Sequence, residues 1–481
     1  MFKEYNQNQD FLLPPSFKEF LWEWHEAIIL NELIDELNLD NLINEYNKNI
    51  NWNWRPAYHP KMLLKILIYW YMNQTFSSRK LAKKIKSDLA FMYLAWKNKP
   101  DFRTINRFRK EKWNFLENIF TQIVFKAKEL WLISFWILSL DWTKIYANAS
   151  KNNSYDLEWL NKKIKWFFDE ADRIDELEDE EYWEENEDHI PEELKTKQWR
   201  EKRKKELEEK RKQAESKKEI VKQEIENKKQ NGIKQERINL TDKDARLMRM
   251  KRKDWWTWYN PQNITEKGFV LATTVPNTAD DSNELIPLIE KFKDKYKLNP
   301  DKILADKGYW NEENYLFLEK NNIESYIPHP ENNWNRLDDY IYNQKQDIYE
   351  DKEWNIYNFK QYMWLKKWWK RWRPKKNEIQ KEKDYKAKLY FAKLENWKNK
   401  FLYVNKDLKE VYRRNDDRLY SEEWKEIYRK RSWDVENAFW NIKFNLSFER
   451  FLLRWFGWVQ IEWNLISLAH NFKKLIKFRI S

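Results

Sequence analysis

Two apolar runs end on an aspartate, ILSLD at Asp141 and ILAD at Asp306. A third acidic residue, Glu436, lies in YRKRSWDVENAFWNIK, which reads as a helix. Open α/β sheets place their chemistry at the C-terminal ends of strands, so two carboxylates delivered in this way can share one site. Three carboxylates suit a pair of hard divalent cations. Oxygen ligands around two Mg²⁺ or Mn²⁺ ions, about 3.5–4 Å apart, clamp the attacking and leaving oxygens of a phosphoryl transfer. Taken singly, an acidic residue is more often a surface or capping group, and Asp141, after a strongly apolar strand, is the least ordinary of the three. Glu462 sits on an apolar helix and competes with Glu436 as third ligand; its other reading is an ion pair with an arginine or lysine. Asp242 and Asp244 with Arg246 read as a structural turn near the site, and the histidines at 25, 59, 189, 329 and 470 are too scattered to form a metal cluster.

A second group of residues suits a polyanion. Arg103, Arg107 and Lys110 fall at i, i+4 and i+7 of one helix and make one basic face. Such a stripe is either a solvated face or a set of phosphate contacts, and a short capped helix followed by a basic helix fits a small DNA-binding module. The formal net charge of +12 favours nucleic acid over membrane as partner. The absence of cysteine excludes disulfides, cysteine zinc sites and thiol nucleophiles. The opening MFKEYNQNQD is too polar for a signal peptide, and the apolar run from Leu130 to Leu140 is too short for a membrane span. A cytoplasmic protein without a membrane partner is expected.

The elements that must position these residues follow from periodicity and caps. Residues 1–128 read as a helical domain: Lys61 to Met72 is an apolar helix core, Ser77 and Ser78 cap RKLAKKI, a short helix runs from Asp88 to Ala95, and a longer one from Asp101 to Leu130. Residues 129–156 contain the strand ending at Asp141. Residues 157–238 are a Glu/Lys-rich solvated helix or helical hairpin without a tidy heptad, an insertion whose acidic head, DELEDEEYWEENED, reads as mobile surface and not a metal cage. In residues 239–330 the pattern is α/β: strands at Phe269–Val275, Lys302–Ala305 and Ser325–Ile327 interleave with helices at Asn283–Tyr296 and Glu312–Lys320. Residues 331–425 are basic, aromatic and irregular, and residues 426–481 are helical. The fold class is α/β, a mixed sheet flanked by helices, with an N-terminal all-helical domain and a charged helical insertion.

One count is abnormal. Globular chains carry ~7% glycine, which would be about 34 residues here, but the sequence holds 4 glycines and 31 tryptophans. Tryptophans also stand in polar, turn-like surroundings: Trp52 and Trp54, Trp255, Trp256 and Trp258, and Trp368, Trp369 and Trp372. The expectation is that many are glycines, from a genome that reads UGA as glycine. The alternative is a genuinely tryptophan-rich chain.

The motifs resemble those of bacterial insertion-sequence transposases of the DDE type. With glycine in place of tryptophan, LDWTKIYANAS becomes LDGTKIYANAS and is similar to the family's first-aspartate motif; ADKGYWNEENY resembles the second, and YRKRSWDVENAFWNIK the third. The resemblance extends, in the family's order, to RPAYHPKMLLKILIYWYMNQTFSSRKLAKKI with DFRTINRFRK, to TDKDARLMRMKRKDWWTWYNPQ, and to RFLLRWFGWVQIEWNLISLAHNFKKL, roughly two thirds of the chain. It implies an RNase H-like catalytic domain in which Asp141, Asp306 and Glu436 hold two Mg²⁺ or Mn²⁺ ions and Tyr428, Arg431 and Lys443 line the DNA. Four residues separate Arg431 from Glu436, where the commoner pattern has three, so Arg431 is carried over less firmly. Relatives with a cysteine cluster before the third motif have no counterpart here. The implied activity is cleavage at terminal inverted repeats and strand transfer into target DNA, by a homodimer on DNA at the bacterial nucleoid. An RNase H-like nuclease or resolvase without strand transfer, or a decayed, non-catalytic DNA-binding copy, are the alternatives. Glycine after Asp141 would let the backbone turn close to metal and phosphate, whereas Trp142 would crowd the site.

Overall fold

The computed structural model describes residues 16–48, 57–74, 76–111, 113–183, 197–233, 235–249, 255–278, 281–328, 340–364, 386–393, 399–404, 411, 414–415, 417–419 and 421–480. Seven α-helices come first: α1 (Glu26–Asp35), α2 (Asp40–Lys48), α3 (Pro60–Met72), α4 (Ser78–Ser87), α5 (Leu89–Ala95), α6 (Phe102–Glu111) and α7 (Trp113–Glu129). Side-chain caps start them where the sequence places the caps. The Ser77 hydroxyl accepts from the Lys80 N–H, and Asp88 accepts from the N–H groups of Ala90 and Phe91. His25 and His59 cap α1 and α3 in the same way. The single helix expected from Asp101 to Leu130 is instead the pair α6 and α7.

The next region runs β1 (Ile137–Trp142), β2 (Ile145–Tyr146), β3 (Ser154–Asp156), α8 (Leu157–Trp183), α9 (Lys197–Gln230), β4 (Arg237–Asn239), β5 (Arg246–Arg249), β6 (Trp255–Tyr259), β7 (Gln262–Glu266), β8 (Phe269–Thr274), α10 (Leu285–Tyr296), β9 (Lys302–Leu304), α11 (Glu312–Lys320) and β10 (Glu324–Tyr326). Five of these strands form one mixed sheet in the order β10-β9-β1-β7-β8. The β1, β7 and β8 strands run antiparallel in sequence, while β9 and β10 lie parallel on the other side of β1. Expected Leu285, Leu288, Ile289 and Phe292 form the buried face of α10.

Two long helices close the chain, Glu422–Trp440 and Phe456–Ile480. The last of these packs on α3, α7 and β8 at once, so one apolar core runs from the N-terminal helices into the sheet. Being covered on most sides, this helix is apolar nearly all round. Among the described residues no helix is long and apolar enough to cross a membrane.

Three expectations need correction. First, the insertion is a helical hairpin with a real heptad. Leu160, Phe167 and Ile174 of α8 are buried at intervals of seven and face Val221, Ala214 and Leu207 of α9. The α9 seam continues in the same phase to Arg200 and Lys228, both buried, and these charged ends hid the repeat. Second, the stretch read as irregular contains a five-stranded antiparallel sheet, β11 (Tyr340–Asn343), β12 (Ile348–Asp351), β13 (Ile356–Trp364), β14 (Lys386–Lys393) and β15 (Asn399–Val404). Its core is small, Tyr349, Tyr357, Ala392 and Leu402, and the alternation along each strand is masked by lysine and tyrosine. Third, Trp255, Trp256 and Trp258 lie in β6 and not in a turn, and Trp258 is buried and stacked on Tyr146 at 3.8 Å between ring centroids. Trp52, Trp54, Trp368, Trp369 and Trp372 lie outside the described residues.

Other tryptophans do occupy glycine conformations. Among the described residues, Trp96, Trp131, Trp354 and Trp455 have φ of 46°, 58°, 63° and 66°. Bulky residues avoid this left-handed region, and glycine is its usual occupant. Trp131 follows α7 in a Schellman arrangement, with the Leu132 N–H reaching back to the Ala127 carbonyl. Trp96 closes α5 in the left-handed state, and Trp354 sits in the turn joining β12 and β13. All four rings are exposed. Trp463 is the opposite case, fully buried with its indole N–H donated to Asn263 Oδ1 at 2.8 Å.

Candidate active site

The parallel pairing of β1 with β9 sets Ser139 opposite Leu304. Asp141 and Asp306 each lie two residues further on, Asp141 still within β1 and Asp306 two residues past the end of its parallel neighbour β9. Asp141 is still within β1, opposite Asn263 of β7, and the strand continues through Trp142. The Trp142 N–H donates to Asp141 Oδ1 at 2.8 Å, its φ is not positive, and its ring is partly buried against the core. The backbone at 142 therefore makes no demand for glycine, contrary to the expectation of a turn there. Asp306 caps a short 3₁₀ turn, Lys307–Tyr309, by accepting the Gly308 N–H at 2.9 Å.

The helix Glu422–Trp440 packs against β1 and β7 and carries Tyr428, Arg431 and Glu436. Arg431 Nη2 lies 3.1 Å from Asp141 Oδ2. Its Nη1 donates to the Tyr428 hydroxyl at 3.2 Å, and the guanidinium lies over the Tyr428 ring. Glu436 is exposed on this helix. Burial pushes the Asp141 carboxyl up to about 6; Arg431 and the Trp142 N–H oppose this, while the negative charges of Asp306 and Glu436 add to it. Asp306 and Glu436 are thus each within electrostatic reach of Asp141. Lys443, in the π-helical turn Asn441–Asn445, has its ammonium pKa lowered by burial, an effect opposed by Glu449 and Asp141.

Among the described residues, no three His, Asp or Glu side chains are close enough together to hold a metal ion, and Arg431 pairs with Asp141. The donor set nevertheless fits a hard divalent cation: all oxygen, one carboxylate largely buried, and more negative charge than Arg431 alone offsets.

The remaining expected residues fall elsewhere. Arg103 and Arg107 are exposed on α6, and the Lys110 ammonium lies 4.4 Å from the Trp458 ring centroid. Arg109, which sequence reasoning passed over, points into the core: its Nη1 donates to the Tyr71 hydroxyl at 3.2 Å and lies 3.7 Å from Glu462 Oε1. Glu462 is fully buried and also accepts the N–H groups of Leu452 and Leu453 at 2.8 and 2.9 Å. It has the ion-pair role, joining the helical region to the C-terminal helix. Asp242 and Asp244 form a turn that accepts the N–H groups of Trp455 and Phe456 at the start of that helix, and Arg246 bonds to Asn277. His470 is buried between Asn441 and the Gly268 carbonyl; positions 189 and 329 lie outside the described residues.

Sequence reasoning also missed β7, whose QNITE shows no apolar run although all five residues are buried. Asn263 neighbours Asp141 across the sheet. Gln262 Nε2 donates to Asp281 Oδ1 at 3.0 Å, and its Oε1 accepts the Tyr309 hydroxyl at 2.9 Å. Tyr309 stands within the ADKGYW motif, and Asp281 in DDSNEL ahead of α10, but only the fold joins them.

Two family models match the chain. Residues 15–111 match a Transposase domain (DUF772), and residues 394–476 match a Transposase DDE domain. The first spans α1 to α6; the second includes the helix bearing Tyr428, Arg431 and Glu436 and most of the C-terminal helix, while Asp141 and Asp306 lie between the two matched segments. No curated protein and no solved structure matches the chain. A transposase domain matched toward each end, over residues 15–111 and 394–476, supports reading the chain as an insertion-sequence DDE transposase.

Proposed function

We propose that this transposase cuts DNA at the terminal inverted repeats of its element and joins the freed 3′ ends to target DNA, with Asp141, Asp306 and Glu436 as its catalytic carboxylates. The observation that carries the reading is the placement of Asp141 near the end of β1 and of Asp306 just past the end of its parallel neighbour β9, each two residues beyond the paired Ser139 and Leu304, with the Glu436 helix packed against β1. The strand order supports an RNase H-like architecture: the first strand is central, an antiparallel pair lies on one side and two parallel strands on the other. The carboxylates would hold two Mg²⁺ or Mn²⁺ ions, which supply Lewis-acid polarisation of the phosphate and a more acidic attacking hydroxyl. Arg431 offsets the Asp141 charge, and with Tyr428 and Lys443 it contacts the phosphates of the strand being cut. Residues 1–128 recognise the element ends through the α6 face bearing Arg103, Arg107 and Lys110, and two copies pair the two ends at the nucleoid.

The test is a labelled element end incubated with the purified chain and Mg²⁺. Asp141→Ala, Asp306→Ala and Glu436→Ala should each cut at least ~10³-fold more slowly while still binding the end in a mobility-shift assay. Full cleavage by any of these variants overturns the assignment.

The left-handed tryptophans support a second reading, that Trp96, Trp131, Trp354 and Trp455 are glycines in the natural protein and that their codons are UGA. Buried, hydrogen-bonded Trp463 is then a true tryptophan encoded by UGG. The gene decides between these readings codon by codon.

A further inference from the structure

We infer that Asp281 is a positioning residue for Asp306, acting through Gln262 and Tyr309; this rests on the reading of Asp306 as a catalytic carboxylate. A carboxylate can only accept, so Asp281 turns the amide NH₂ of Gln262 toward itself at 3.0 Å. That leaves Gln262 Oε1 facing the other way, where it takes the Tyr309 hydroxyl at 2.9 Å. Asp281 Oδ1 also accepts Asn260 Nδ2 at 2.6 Å, which pins the carboxylate to the entry of β7. Gln262 is itself fixed by the β1–β7 ladder, directly opposite Trp142 and one position from the Asp141–Asn263 pair.

Tyr309 ends the 3₁₀ turn that Asp306 begins. Its ring is fully buried, and its hydroxyl is the far anchor of that turn. The near anchor is the Gly308 N–H, donated to Asp306 Oδ1. Asp281 closes on the same turn from the other side. A Cβ at Gly308 would lie 3.0 Å from Asp306 Oδ1 and 3.5 Å from Asp281 Oδ2. The two carboxylates therefore flank one backbone position, with no side chain between them. Burial, followed by the charges of Asp141, Asp281 and Asp306, holds the Tyr309 phenol far above its ordinary pKa, so it remains a donor. A relay of this kind acts on a metal-ligating carboxylate as outer partners act on ligands generally, by holding its orientation.

The experiment measures Mn²⁺ binding to the full-length chain by loss of the free-ion EPR signal, with melting curves as a control for folding. Asp306→Ala is the reference variant, and Asp281→Asn and Tyr309→Phe are the tests. In Asp281→Asn the new amide can offer its own NH₂, so Gln262 loses its fixed sense; in Tyr309→Phe the far anchor is removed. Both should bind Mn²⁺ on the order of ten-fold more weakly, with cleavage recovered at high metal concentration, a split that mere loss of folded protein does not produce. Loss of binding in Asp306→Ala with unchanged binding in both test variants overturns the relay alone. Unchanged binding in Asp306→Ala overturns the reading of the site, and the relay with it. Should Asp281→Asn fail to fold, Tyr309→Phe decides; if neither folds, the network is a structural strut and the inference fails.

Discussion

The Arg431 guanidinium lies 3.1 Å from the Asp141 carboxylate, with side-chain exposures of 13% and 19%. A pair this shielded is weakly screened by salt. It places a helix-borne cation on the strand-borne acid that burial, with smaller contributions from Asp306 and Glu436, pushes toward protonation. Arg431 is separated from Glu436 by one residue more than in the commoner pattern, yet it reaches Asp141 directly.

The Asp141 carboxyl, pushed up to about 6, must lose its proton before it can bind a cation. Mn²⁺ affinity should therefore be flat above about pH 6 and fall by about ten-fold per pH unit below it. Arg431→Ala removes the strongest influence favouring the ionised form, so its break point should lie at higher pH. The stability sign runs the other way from that of a salt-bridged acid. The raised carboxyl favours the metal-free fold at low pH, and this is lost as pH rises from the ordinary 3.8 through 6. Melting temperature, measured against Asp141→Asn, should therefore shift in favour of the wild type on going from pH 7 to pH 5. A break in Mn²⁺ affinity near pH 4 would contradict the raised value.

Glu462→Ala leaves Arg109 without its counter-charge, and the Tyr71 hydroxyl and two backbone N–H groups without their acceptor, inside the core. Breaking a buried pair in this way costs roughly 3–5 kcal/mol. Urea unfolding should show that loss, whereas Mn²⁺ binding by the folded fraction should stay at the wild-type level, because Glu462 is a core residue and not a ligand.

Leu207→Ala opens a cavity in the seam between α8 and α9, opposite Ile174. The local cost should be about 2–4 kcal/mol. Hydrogen exchange should quicken in the hairpin while the protection of β1, β7 and β8 is kept. Equal loss in the sheet would mean that the insertion and the sheet unfold as one unit.

Glycine at positions 96, 131, 354 and 455 relieves left-handed strain of about 1–2 kcal/mol at each. Each of these substitutions should raise the melting temperature of the recombinant chain. Trp463→Gly should lower it sharply, because it empties a fully buried site and leaves Asn263 Oδ1 without its donor. Mass spectrometry of the protein from its natural host reads the same positions directly.

The sequence by itself determined the elements whose signals are local. Caps at Ser77 and Asp88, the apolar face of α10 and the boundaries of α11 could all be read from consecutive residues, because caps and periodicity are properties of neighbours. Tertiary structure alone decided that QNITE is an interior strand of the sheet, that Arg109 faces Glu462, and that Asp281 reaches Tyr309 through Gln262. In each of these cases a polar side chain is buried, and what makes burial tolerable is a partner tens or hundreds of residues away. The heptad of the insertion was hidden for a related reason, since its terminal positions are Arg200 and Lys228. Hydrophobic patterning marks where apolar groups go; the pairing of buried polar groups is settled only when the chain closes on itself.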